Sequence, residues 1–238
     1  MKNIYRLLPF ISISCSLASC EVLNNSSKYT FTDGYYYSKL NTKKTKKYYV
    51  VAGSDSIKVY PSLLLTTKTD TVSTIIIFFP PNKKPSAFTT YFFRTKTFDL
   101  DVLTTLFKYR GSVTGFPGQL NTGFNGALFS GYRTDFYKLS YNETPLHVAT
   151  RQVTHYGFSV GGFAGLGTAR IDDYVTLNRI NYQYDGAVIT TGLAAELGFN
   201  KINFGLTYGF DFLTDRNKHI WINNGKPWVG ISLGLNLN

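Results

Sequence analysis

Two stretches near the C-terminus show the clearest ordering of apolar and polar positions. Over 201–212, Ile202, Phe204, Leu206, Tyr208, Phe210 and Phe212 alternate with Lys201, Asn203, Gly205, Thr207, Gly209 and Asp211. Over 227–238, Val229, Ile231, Leu233, Leu235 and Leu237 alternate with Trp228, Gly230, Ser232, Gly234, Asn236 and Asn238. Successive side chains of a strand leave on opposite faces, so each stretch reads as a strand with one apolar face and one face of small or polar residues. A water-facing surface would carry more Lys and Glu. Gly, Ser, Thr and Asn suit the crowded lumen of a narrow barrel.

Further strand-like segments fall at about 87–95, 98–109, 124–140, 154–168 and 183–199, and the β-branched run Val72–Phe79 closes at Pro80-Pro81. The pattern predicts an all-β fold: an antiparallel up-and-down membrane β-barrel of about eight strands over 72–238, the smallest usual size for such a barrel. Short links near 96–97 and 199–201 alternate with long ones at 80–86, 110–123, 169–182 and 213–226, as when one end faces the periplasm and the other faces outside. The link at 141–153 is long for the periplasmic end. Tyr48–Ala52 and Ile57–Tyr60 read as short strands of a β-rich extension within 20–71.

The alternation also assigns faces. In 98–109, Asp99, Asp101, Thr105 and Tyr109 point to the lumen, and in 154–168 Gly157, Ser159, Gly161, Gly165 and Gly167 do. The predicted lumen therefore holds Asp99, Asp101, Arg133, Asp135, Glu196 and Asp211. Charges removed from water need partners, so an ionic network around Arg133 is expected to plug the barrel.

Composition sharpens this picture. Charged residues make up 16% of the chain and aromatic residues another 16%, with 18 Tyr and 19 Phe. That is a low charge content beside the roughly 25% usual for soluble domains. After the N-terminus no apolar run approaches the roughly 18 residues of a membrane helix. The formal net charge is +11. No nucleic-acid-binding motif accompanies it, so lipid head groups and lipopolysaccharide phosphates suit the charge better than nucleic acid does.

Lys2 and Arg6 precede an apolar stretch from Leu7 to Ala18, which reads as a signal peptide over 1–19. It ends in Leu17-Ala18-Ser19-Cys20, which resembles the bacterial lipobox and implies lipidation of Cys20. The anchor would sit on the periplasmic side of the outer membrane, the side that loop alternation gives the N-terminus. With Cys15 in the removed segment, no Cys-rich metal site is expected, and no other metal or cofactor.

Phe107-Lys108-Tyr109-Arg110, Gln119-Leu120-Asn121-Thr122, Gly131-Tyr132-Arg133-Thr134-Asp135 and Gly234-Leu235-Asn236-Leu237-Asn238 together resemble the Bacteroidetes outer-membrane β-barrel proteins, in a lipoprotein form. The resemblance covers about 90–238. It implies a fold, a location and insertion by the barrel assembly machinery, but no common activity.

Catalytic candidates are few. His155 shares a strand face with Ser159, and Glu196 is the one nearby orienter, but the spacing matches no hydrolase motif. The expected role of His155 is hydrogen bonding at the membrane rim, and Trp221 is expected in an aromatic belt. The leading expectation is a non-enzymatic, lipid-anchored outer-membrane barrel with a structural, adhesive or assembly-associated role, binding any extracellular ligand through its outer loops. The alternatives are a barrel enzyme acting on lipid or lipopolysaccharide and a soluble lipocalin-like lipoprotein with its apolar faces inward.

Overall fold

The computed structural model describes residues 30–40, 44–53, 56–62, 75–78, 90–113, 115–143, 145, 149–199 and 202–237. The expected signal peptide and Cys20 lie outside the described residues. The strands are β1 (Gly34–Ser38), β2 (Lys46–Ala52), β3 (Ser56–Pro61), β4 (Ile75–Phe78), β5 (Tyr91–Arg110), β6 (Gln119–Asn121), β7 (Asn125–Glu143), β8 (Ala149–Ile171), β9 (Tyr184–Phe199), β10 (Ile202–Leu213) and β11 (Pro227–Asn236). Strands β7 to β11 pair in succession, and β5 pairs with β7 on one side and with β11 on the other. The sheet thus closes into an antiparallel ring of β5, β7, β8, β9, β10 and β11. Closure pairs the long edges of the sheet with each other, removing the exposed edges that an open sheet presents.

The ring has fewer strands than the eight segments read from the sequence, for two local reasons. Segments 87–95 and 98–109 meet in one continuous strand, β5, because the polar residues Lys96 and Thr97 continue the pleat without a Gly or Pro to break it. The described part of 72–79 is β4, which pairs with β3 in the N-terminal extension and not with the ring. The long link at 141–153 shortens as well. Strands β7 and β8 stay paired out to Glu143↔Ala149, so only 144–148 connects them.

The face assignments hold along most of the ring. Outward positions on β9 and β10 such as Ile189, Leu193, Leu197, Phe204, Leu206 and Tyr208 are exposed, while Thr190, Glu196, Asn203, Thr207 and Asp211 are buried. The ring is apolar outside, and inside it holds buried polar and charged residues on both sides of an apolar layer. No described helix is long and apolar enough to cross a membrane.

One stretch departs from the alternation. Between β5 and β11, Ile231 pairs with Phe107 and Ser232 with Thr105, so Leu106 is an unpaired bulge residue. A bulge inserts one residue and reverses the facing of everything beyond it. Thr105 is buried, Leu106, Phe107 and Tyr109 are exposed, and Lys108 and Arg110 turn inward. Tyr109 therefore leaves the lumen position that strict alternation assigned to it.

The two ends of the ring differ. At one end lie the β7–β8 and β9–β10 links and the extension, in which β1 to β4 form an antiparallel sheet joined to β5 at Tyr37↔Arg94. Phe93 of β5 and Tyr137 and Leu139 of β7 share a buried core with Phe31, Tyr36, Tyr48, Val50 and Val59 of the extension. The extension thus caps the ring. At the other end lie the connections 111–124, 172–183 and 214–226, with β6 pairing back on Lys108–Arg110 of β5.

Phe93 is 1% exposed and packs its ring 5.1 Å from Phe31 and 5.9 Å from Tyr36. Phe93→Ala is expected to cost about 3–5 kcal/mol at this junction. Limited proteolysis should then cut the extension first, with the ring left intact. Equal resistance of variant and wild type would show that the cap is held elsewhere.

Candidate functional site

The interior is built in layers. Nearest the extension, Arg133 of β7 reaches Asp135 (Nε to Oδ1, 2.7 Å) and lies 3.7 Å from Asp99 of β5 (Nη1 to Oδ2). His155 of β8 contacts the same Asp135 oxygen through Nε2 at 2.7 Å. Asn203 of β10 donates to Asp101 Oδ2 at 3.1 Å. Glycine makes room for the guanidinium: a Cβ at Gly198 would lie 2.7 Å from Arg133 Nη2, and Gly157 faces the same group. Gly157 and Gly198 are therefore packing residues on the lumen face.

Asp99, Asp101 and Glu196 are completely buried, and one oxygen from each lies within 4.8 Å of the others. These are the described residues that could hold a hard cation, whose oxygen ligands sit at about 2.3–2.6 Å. Arg133 and Asn203 already engage two of the three carboxylates.

An apolar layer follows. Leu103, Ala127, Phe129, Phe163, Ala194 and Trp228 fill the middle of the ring. Beyond it lies a second ionic cluster, in which Lys108 Nζ sits 3.0 Å from both oxygens of Asp211 and Arg110 Nη2 pairs with Asp211 Oδ2. Lys108 Nζ also lies 4.3 Å over the Trp228 ring, and Arg110 lies 5.3 Å over Trp221.

All six residues expected in the lumen are buried there. They do not form one network, because the aromatic layer separates Asp211 from Arg133. Lys108 and Arg110, which hold Asp211, escaped strict alternation because of the bulge at Leu106. The adjacent bulky pair Leu106-Phe107 was the available signal, since two such residues in an alternating strand mark a phase slip. Trp221 is also misplaced by the sequence reading: it is 5% exposed in a core with Ile171, Val175, Val188 and Leu213, not in a belt. His155 is likewise buried at 1% exposure, within the Asp135 cluster and not on the rim. His155 and Ser159 do share a face, but His155 Nε2 is spent on Asp135, and Ser159 sits opposite Glu196 across the β8–β9 ladder.

Above the second cluster the loop end encloses a cavity of about 710 Å³. Lys108 and Arg110 border it, with Phe116, Gln119, Asn125, Tyr174, Trp221 and Asn223 among its walls. The loops around it are tied together. Tyr184 donates to Asp215 at 2.7 Å, and Asn217 donates to Tyr184 at 2.8 Å. Hydrogen bonds from Asn217 and Arg216 hold the Tyr182 phenol below its ordinary pKa.

Removing Arg133 leaves two buried carboxylates short of their counter-charge. Arg133→Ala is expected to destabilise the ring by about 3–5 kcal/mol, read as a lower urea midpoint, while Gly198→Ala, which crowds Asn203 Oδ1 and the guanidinium but removes no charge, should cost less. An unchanged midpoint for Arg133→Ala would mean that this layer does not hold the ring together. No family model, curated protein or solved structure matches the chain.

Proposed function

We propose that the chain is an outer-membrane β-barrel, lipid-anchored through Cys20 on the periplasmic side, with a structural, adhesive or assembly-associated role exercised through its loop end. One observation carries the reading: the ring is built inside out relative to a water-soluble protein. Its interior holds Asp99, Asp101, Arg133, Asp135, Glu196, Lys108, Arg110 and Asp211, all buried. Among the described outward positions, charges occur at the rims, with Lys96 and Lys138 at the extension end and Arg170 and Asp185 at the loop end. Between them the outer face is aliphatic and aromatic, interrupted by small residues.

The dimensions agree with a bilayer. The outward residues of β9 from Ile189 to Phe199 are apolar or small. At roughly 3.3 Å per residue and a tilt of about 40°, that stretch rises roughly 25 Å, the height of the lipid-facing band of membrane barrels. In a lipocalin-like protein the apolar faces would line an internal cavity, whereas here Phe204, Leu206 and Leu193 face out.

The Bacteroidetes outer-membrane family resemblance belongs to the same reading, as do insertion by the barrel assembly machinery and contact with lipopolysaccharide. The sealed interior and the engagement of His155 with Asp135 favour a non-catalytic role.

The deciding experiment expresses the Cys20→Ser chain behind an ordinary signal peptide, fractionates membranes, and compares heated with unheated samples on SDS gels. Membrane retention with a faster-migrating unheated band is expected. A soluble product without a heat shift would overturn the reading. Leu193 is 65% exposed near the middle of β9. Leu193→Arg should destabilise the membrane-inserted form by about 2–4 kcal/mol, and the same change in a soluble protein would be nearly neutral. Urea titration in vesicles measures the difference.

A further inference from the structure

We infer that the loop-end cavity is a binding site for an acidic sugar, a small saccharide carrying one carboxylate or phosphate; the inference rests on the barrel reading above, which places this end outside the cell. The first observation is electrostatic. The floor of the cavity holds two cations, Lys108 and Arg110, against a single carboxylate, Asp211. Arg110 is 3% exposed, yet its Nε and Nη1 have no hydrogen-bond partner among the described residues. A buried guanidinium with two unpaired donors costs free energy, and the planar fork of Arg matches a carboxylate or phosphate group. Both nitrogens are covered, so an oxyanion entering the floor pairs with them as the covering side chains move aside.

The walls point to the rest of the ligand. Trp221 backs Arg110, and Phe116 and Tyr174 add aromatic faces on which the C–H side of a sugar ring packs. Asn125, Asn223 and Gln119 put amides in the lining, with Asn223 donating to Gln119 at 3.2 Å, and amides are suited to hydroxyl groups. Asp172 and Asp185 also line the cavity, together with Arg170, which lies 3.6 Å from Asp172, and the two carboxylates can accept from sugar hydroxyls. The volume of about 710 Å³ lies within the range of roughly 300–1,000 Å³ typical of small-molecule sites.

The bulge at Leu106 supplies the independent structural argument. Without it Tyr109 would face the lumen and Lys108 and Arg110 would face outward. The inserted residue therefore costs a ladder hydrogen bond and places both cations under the cavity.

The test uses the full barrel refolded in detergent, with binding followed by Trp fluorescence and calorimetry. The probes are glucuronic acid, glucose 6-phosphate and glucose. The expected result is saturable binding of at least one acidic sugar, about tenfold or more tighter than glucose. Preference for the carboxylate would indicate a uronate-type ligand, and preference for the phosphate would indicate a head-group sugar phosphate. Arg110→Gln should abolish the preference for the acidic sugar. If that variant does not fold, Phe116→Ala, which leaves the ion cluster intact, should weaken binding of the same sugar about fivefold or more. Equal affinity for glucose, or no binding of any probe at millimolar concentration, would overturn the inference. A heat-shifted band from the same preparation reports barrel closure separately, so loss of the site and loss of the barrel reading are distinguishable.

Discussion

Charge inside a narrow ring is the constraint from which the rest of the structure follows. Arg133, completely enclosed, can stay there only because Asp135 and Asp99 lie beside it and because glycines on the neighbouring strands leave it space. Arg133 and Asp135 come from β7, Asp99 from β5, and the glycines Gly157 and Gly198 from β8 and β9, which ties the registers of these four strands together. A one-residue slip of any of them would turn its partner outward. The polar interior therefore specifies register more sharply than the outer face does, where one apolar residue replaces another with little consequence.

The same constraint explains the layering. Two ionic groups of this size, stacked without separation, would demand a continuous hydrogen-bonded column through the ring. Instead Leu103, Phe129 and Phe163 occupy the middle beside the Trp228 ring, filling it with largely apolar volume. The extension-side layer is closed by the cap, in which Phe93 and Tyr137 continue the inward phase of β5 and β7 into the core of the small sheet. The loop-side cluster has only a cavity above it. One end of the molecule is thus closed by packing, and the other carries a cavity bordered by Lys108 and Arg110.

How much of this the chain announces depends on the range of the interaction. The all-β antiparallel architecture, the outward faces of β9 and β10, and the burial of Asp99, Asp101, Arg133, Asp135, Glu196 and Asp211 are properties of local alternation, and they could be read residue by residue. The count of ring strands was less accessible. Lys96 and Thr97 resemble a polar turn in sequence, and only their pairing with Thr134 and Arg133 of β7 shows that the strand runs through.

The sequence by itself determined that these segments are strands with one apolar and one small or polar face, because the pleat repeats every two residues whatever surrounds it. The tertiary structure decided which strands close the ring, that the ionic residues divide into two groups, and that Lys108 and Arg110 join the interior in place of Tyr109. Those outcomes depend on β11 pairing with β5 one residue out of step at Leu106. That register is set by side chains more than 100 positions apart in the chain, such as Lys108 and Asp211. A pattern read along one strand carries no information about such a contact.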